Sequence, residues 1–156
     1  LHSNGFSLVR KVLLEKAALS LDTFLPELGK TLGEELLTPT RIYVKALLHL
    51  LSRVEVKGMA HITGGGLPEN LPRSLPEGLG IQLQKKAWTP QPVFSLIQRL
   101  GGVPEEDLYR TFNMGIGFVC LVTRAEAEQA CAVLAEAGEK PVIIGEVVTG
   151  NGVHLV

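Results

Sequence analysis

Charge of one sign, aromatic residues, cysteine and long apolar runs are all scarce in this chain. Lys and Arg number 15 against 16 Asp and Glu, a formal charge of −1. No basic excess exists to displace counterions, which excludes a nucleic-acid binder driven by bulk charge. Aromatic residues make up 5%, with one Trp; Trp88 beside Lys85-Lys86 is a weak nucleic-acid signal. The two cysteines, Cys120 and Cys131, exclude a disulfide-stapled scaffold and have no paired metal-ligand spacing, so a reduced, cytoplasmic setting is expected. No apolar run reaches the roughly 20 residues of a membrane span. The longest, Met114 to Val122, is broken by two glycines. The opening Leu-His-Ser-Asn-Gly-Phe is not a basic and then apolar leader. It also lacks an initiating Met, so the chain is expected to begin inside a longer protein.

What is present describes a folded domain. Hydrophobic residues are 46% and charged residues 20% of 156, which excludes disorder. The length suits one domain of roughly 100–200 residues, able to bury about 68–70% of its unfolded surface.

Apolar spacing predicts helices over Ser7–Leu19 (with Ser7 as cap), Ile42–Val54, Gln91–Leu100 and Pro104–Tyr109. Another is predicted from Thr123, in a capping box with Glu126, to Ala137. Val44, Leu47, Leu48 and Leu51 form the stripe of the second helix. Leu21–Gly33 reads as a connector, with Thr31–Leu37 as a short helical turn, and Leu67–Glu77 as a proline-rich loop. Strands are predicted over Val56–Thr63, Gly80–Gln84, Gly115–Val122 and Pro141–Val148. The third of these is apolar on both faces and therefore expected to be central. A last strand, Val153–Val156, follows the hairpin-type turn at Gly150-Asn151-Gly152. The fold class is α+β: a mixed sheet with helices packed on it, in a split βαβ, partly ferredoxin-like arrangement.

Four polar or glycine-rich segments lie at element boundaries, where functional groups concentrate. His2-Ser3-Asn4-Gly5 precedes the first helix and offers donors and acceptors. Thr40 and Arg41 follow a turn, and an arginine fork holds phosphate or carboxylate. His61-Ile62-Thr63-Gly64-Gly65-Gly66 leaves a strand with three glycines, whose N–H groups can form an anion-binding nest. It is neither a Walker motif nor the spaced dinucleotide fingerprint. Asn113 and Gly115 lead into the predicted central strand. Plain alternatives stay open at each: a frayed terminus, an arginine capping a neighbouring helix, a flexible turn, and helix–sheet packing. No Ser-His-Asp or metal constellation is present, and the residues alone do not specify a reaction.

These segments carry a resemblance. Leu-His-Ser-Asn-Gly-Phe-Ser-Leu-Val-Arg (1–10), Leu-Leu-Thr-Pro-Thr-Arg-Ile-Tyr-Val-Lys (36–45), Ala-His-Ile-Thr-Gly-Gly-Gly-Leu-Pro-Glu-Asn-Leu-Pro-Arg (60–73) and Tyr-Arg-Thr-Phe-Asn-Met-Gly-Ile-Gly (109–117) resemble the carboxy-terminal half of the phosphoribosylformylglycinamidine cyclo-ligase (aminoimidazole ribonucleotide synthetase) family of purine biosynthesis. Essentially all of residues 1–156 follow the family's order. Formylglycinamide ribonucleotide amidotransferase, selenophosphate synthetase and thiamine monophosphate kinase resemble it more distantly.

The resemblance implies a two-domain homodimeric enzyme whose amino-terminal ATP-binding and dimerisation domain is not in this chain. It implies ATP and Mg2+, bound mainly by that other domain, and formylglycinamidine ribonucleotide as substrate. His2 is the implied catalytic candidate. Ser3, Asn4, Thr40, Arg41, His61, Thr63, Gly64, Gly65, Gly66, Asn113 and Gly115 are the implied substrate-binding residues, and no metal ligand is assigned. No nucleic-acid or membrane partner is expected. The competing expectation is a stand-alone anion-binding or interaction domain.

Overall fold

A computed structural model describes all 156 residues. The chain opens with α1 (Phe6–Val9), which continues as a π-helix over Arg10–Lys16. Then come β1 (Phe24–Leu25), β2 (Lys30–Thr31), α2 (Leu32–Leu36), α3 (Val44–Leu51), β3 (Gly58–His61) and α4 (Gly66–Asn70), with a 3-10 turn over Leu71–Ser74. The second half holds β4 (Leu79–Leu83), a 3-10 turn over Lys85–Ala87, α5 (Pro92–Gly101), α6 (Glu105–Thr111) and β5 (Phe118–Leu121). A 3-10 turn over Arg124–Glu126 leads into α7 (Ala127–Glu136), and β6 (Gly145–Thr149) and β7 (Gly152–Leu155) end the chain. These elements gather in two compact units. One comprises residues 1–40, 62–67 and 90–117; the other comprises 41–61, 68–89 and 118–156.

The first unit is mainly helical. Val93, Phe94, Leu96 and Ile97 of α5 are buried, as are Val9, Val12 and Leu13 of the first helix. Lys16 Nζ donates to the Gly101 carbonyl at 2.7 Å and joins the two helix ends. The first helix starts earlier than its sequence suggests. Gly5, at φ 78°, is its N-cap rather than Ser7, because a left-handed residue turns the chain into the helix without a side-chain cap. The connector after it contains a hairpin: Phe24 pairs with Thr31 and Leu25 with Lys30. Two-residue strands are too short to show alternation. A capping box forms at Thr31, whose Oγ1 accepts from Glu34 N at 3.2 Å while Glu34 Oε2 accepts from Thr31 N at 2.8 Å.

The second unit holds two small sheets and two helices. β3 and β5 are antiparallel, with Met59 opposite Cys120 and His61 opposite Phe118. β4 lies between β6 and β7, antiparallel to the first and parallel to the second. The pairing is mixed, but the single sheet expected from sequence is divided. β5 has one partner and three half-buried residues, so it is not a buried central strand. The chain straightens only after Gly117, since Met114 (φ 50°) and Gly115 (φ 93°) form a turn.

The Gly150-Asn151-Gly152 turn does not close a hairpin either; it carries the chain across the end of β4. Gly80 leaves room for it, since a Cβ there would stand 2.9 Å from the Gly152 carbonyl oxygen. At Thr123 the expected capping box is replaced by a side-chain bond, Oγ1 to Glu126 Oε2 at 2.6 Å, over the 3-10 turn.

α3 packs on α7 through Leu50, Val54, Ala130 and Val133. The face predicted to be buried is turned the other way: Val44, Leu48 and Leu51 are exposed while Ala46 and Leu50 are buried. Helical spacing marks an apolar stripe without saying which of two apolar faces meets the core.

Candidate functional site

Ten of the twelve residues singled out above lie in the first unit. Three backbone segments meet there, and glycine makes the meeting possible. A Cβ on Gly66, whose φ is 58°, would overlap the Tyr109 carbonyl oxygen and stand 2.8 Å from that of Phe112. A Cβ on Gly5 would overlap the Phe112 ring and lie 2.9 Å from Thr111 Cγ2. Phe112 is fixed from behind by Phe94, their ring centroids 5.5 Å apart. The loop after Ile62, the end of α6 and the segment before α1 are therefore held together by close approaches of glycine backbone, to carbonyls at Gly66 and to side chains at Gly5, that leave no room for a Cβ.

The polar groups follow from this frame. Asn4 Oδ1 lies 3.7 Å from the place a Cβ of Gly64 would take. His2, Asn4, Phe112 and Asn113 line a narrow crevice with Leu1, and the Nδ1 atom of His2 is shut away from solvent. Asn113 is buried, and its Oδ1 accepts from Gly115 N at 3.0 Å. That bond holds the turn in which Met114 and Gly115 take positive φ. Ser3 Oγ and Thr40 Oγ1 are 2.5 Å apart, tying the second polar segment to the first. Gly65, at φ 91°, and Gly66 complete the turn that begins at Thr63, whose carbonyl accepts from Gly66 N at 3.0 Å.

The other two, Arg41 and His61, belong to the second unit. Arg41 is held by Glu139, Nε to Oε2 at 2.9 Å, and its Nη2 donates to the Gly138 carbonyl just beyond α7 at 3.2 Å. This is the helix-capping arrangement left open in the sequence. His61 stacks on Phe118 at 5.9 Å and meets Tyr43 edge-on at 6.0 Å. Burial pushes the Tyr43 hydroxyl pKa up.

The first-unit cluster contains neutral hydrogen-bonding side chains, glycine backbone and one histidine. None of its ten residues is Asp, Glu, Lys or Arg. Such a set can bind the oxygens of an anion through N–H and O–H groups and can offer one imidazole for proton movement. Nowhere in the chain do three His, Cys, Asp or Glu side chains gather in a group that could hold a metal ion. Gly5, Tyr109 and Phe112 lie within the segments and motifs noted in the sequence, but no packing role is expected there for any of them. The Asn4-Gly5 dipeptide, a turn signal, was the available clue to the first.

A profile of the family described as AIR synthase related protein, C-terminal domain, matches residues 1–156. The chain belongs to this family. The domain is 54% identical over 156 residues to a phosphoribosylformylglycinamidine cyclo-ligase of Bacillus mycoides (strain KBAB4), covering 100% of the chain and 45% of that protein. With one from Shouchella clausii (strain KSM-K16) it shares 57% identity over 152 residues, covering 97% and 44%. The AIR synthase related domain thus spans less than half the length of these curated relatives. Among solved structures, E. coli HypE, a hydrogenase maturation protein, shares its fold at a TM-score of 0.59 and 24% identity, over 83% of this chain and 42% of that one.

Proposed function

We propose that this domain is the carboxy-terminal half of an ATP-dependent phosphoribosylformylglycinamidine cyclo-ligase, and that its first-unit cluster binds formylglycinamidine ribonucleotide. One observation carries the reading. Segments as far apart as His2–Asn4, Thr63–Gly66 and Asn113–Gly115 converge in one unit, in a chain 54% identical along its whole length to a cyclo-ligase.

The reaction needs positioning and charge stabilisation more than a protein nucleophile. ATP phosphorylates the formyl oxygen of the substrate, forming an O–P bond and releasing ADP. The amidine-side nitrogen attacks the activated carbon, the C–O bond breaks, phosphate leaves and the nitrogen gives up a proton. ATP, Mg2+ and the homodimer contacts are assigned to the amino-terminal part of the full-length, cytoplasmic enzyme.

In this reading Thr63, Gly64, Gly65 and Gly66 cradle the ribose phosphate with backbone N–H groups, which are worth most where water is excluded. Ser3, Asn4 and Thr40 hydrogen-bond the substrate beside them. Asn113 supports the Gly115 turn so that backbone can approach it. His2 orients the substrate or takes the released proton. Arg41 and His61, in the other unit, enter the reading as members of the family's motifs.

The test is ATP-dependent ring closure, followed as formation of aminoimidazole ribonucleotide by the full-length protein and by this chain alone. Turnover by the first and none by the second is expected. In the full-length protein Gly65→Val should weaken substrate binding more than ATP binding. Absence of cyclisation by the full-length protein, or an unchanged substrate affinity in a folded Gly65→Val variant, would count against the assignment.

A further inference from the structure

α3 is apolar on two sides and covered on one. Ala46 and Leu50 face the packed interior with Val54, Ala130 and Val133. On the other side Val44 is 62%, Leu48 63% and Leu51 44% exposed, and Ile42, just before the helix, is 82% exposed. Val44, Leu48 and Leu51 follow the i, i+4, i+7 spacing of one helix face. Lys45 and His49 take the polar side of the helix, and single exposed leucines are ordinary whereas a row of aliphatic side chains is not.

We propose that this outward face of α3 seats the other part of the full-length polypeptide, the more than half of each curated relative that lies outside the match. The inference rests on the reading of this chain as half of a larger enzyme, and adds which surface of it the remainder covers. Size argues for that occupant over a second copy. Three aliphatic side chains in a row make a patch on the order of a few hundred Å2 at most. A stable contact between separate chains buries about 800 Å2 on each partner. A covalently joined segment needs less, because linkage already supplies a high effective concentration.

Charge agrees with a cover that is apolar at its centre. The basic groups of this helix region that carry ion pairs are paired within the same unit, Arg41 with Glu139 and Arg53 with Glu136. Lys45, exposed on the same helix, lies beside the Val44, Leu48, Leu51 row rather than in it.

The experiment is alkylation of Leu48→Cys, read by site-resolved mass spectrometry in the full-length protein and in this chain, beside the cyclisation assay. Labelling at least about tenfold slower in the full-length protein is the expected result. Hydrogen exchange across residues 44–51 of the unsubstituted proteins should show the same protection, and it covers the case of a variant that misfolds. Equal labelling and equal exchange in a full-length protein that still cyclises would overturn the docking inference and leave the functional reading intact. Protection in this chain alone that rises with its concentration would make a second copy the occupant and also overturn it. Protection without cyclisation would support the docking surface and sink the enzymatic reading instead.

Discussion

Gly66 and Tyr109 meet backbone to backbone: the α-carbon of the first lies so close to the carbonyl of the second that a methyl group between them would overlap the oxygen. This contact joins the glycine loop to the end of α6. Gly66 therefore serves the frame, whereas a Cβ on Gly64, two residues earlier, would meet only Asn4 Oδ1, at an ordinary contact distance of 3.7 Å.

The two glycines should separate in mutation. Gly66→Ala forces a Cβ into the Tyr109 carbonyl at a positive φ, and should cost at least about 2 kcal/mol from strain and overpacking. Gly64→Ala should stay within about 0.5 kcal/mol of the parent. In the full-length protein it should lower substrate affinity about tenfold, ~1.4 kcal/mol, by crowding the Asn4 side. Urea unfolding of both variants and calorimetric titration of the second decide this; equal stabilities would refute the division of roles.

His2→Ala in the full-length protein should slow cyclisation roughly a hundredfold, the lower range for loss of a general acid or base. The unfolding midpoint should change little, because His2 is only partly buried and lines a crevice near the start of the chain. Wild-type turnover in the variant would remove His2 from the chemistry.

Acid should weaken the α2 cap. The Thr31 backbone N–H, and then its hydroxyl, hold the Glu34 carboxyl below its ordinary value of 4.5. A carboxyl lowered in the folded state contributes stability that is fully present above its unfolded pKa and is lost as pH falls through the folded one. Glu34→Gln should therefore be less stable than the parent at pH 7, with the gap closing towards pH 3. Thr31→Ala should cost about 1 kcal/mol at neutral pH, as caps do. A Glu34→Gln gap that stays constant from pH 7 to 3 would show that the ionised form is not what the cap uses.

The two thiols should react in order. Burial pushes Cys120 up to about 11, and Cys131 is raised too, by burial and then by Glu128. Because the thiolate is the nucleophile, iodoacetamide at pH 8 should modify Cys131 first and Cys120 slowly, by peptide mapping. Earlier modification of Cys120 would mean that β5 opens more readily than its packing beside Val133 and Leu50 implies.

Much of the helical structure was legible locally. α5 and α6 carry their stop and start signals in Gly102 and Pro104, and the structure places both at helix ends. The hairpin at Phe24–Thr31 was not legible, since two-residue strands leave no periodic trace. The candidate site was visible only as four separate segments, because glycine runs and Asn, His and Thr at element ends can be seen without a fold. Their meeting was not, because it depends on contacts between residues such as Gly5 and Phe112 that are remote in sequence.

By itself the sequence determined the composition of a folded α+β domain, the positions of most helices and the residue types available to bind an anion. These follow from local propensity and from the polarity of side chains. Only the tertiary structure decided which face of α3 is covered, that β4 runs between β6 and β7, and that Arg41 donates to the Gly138 carbonyl. Each of these depends on long-range packing, where two local solutions of nearly equal propensity are separated by what lies opposite.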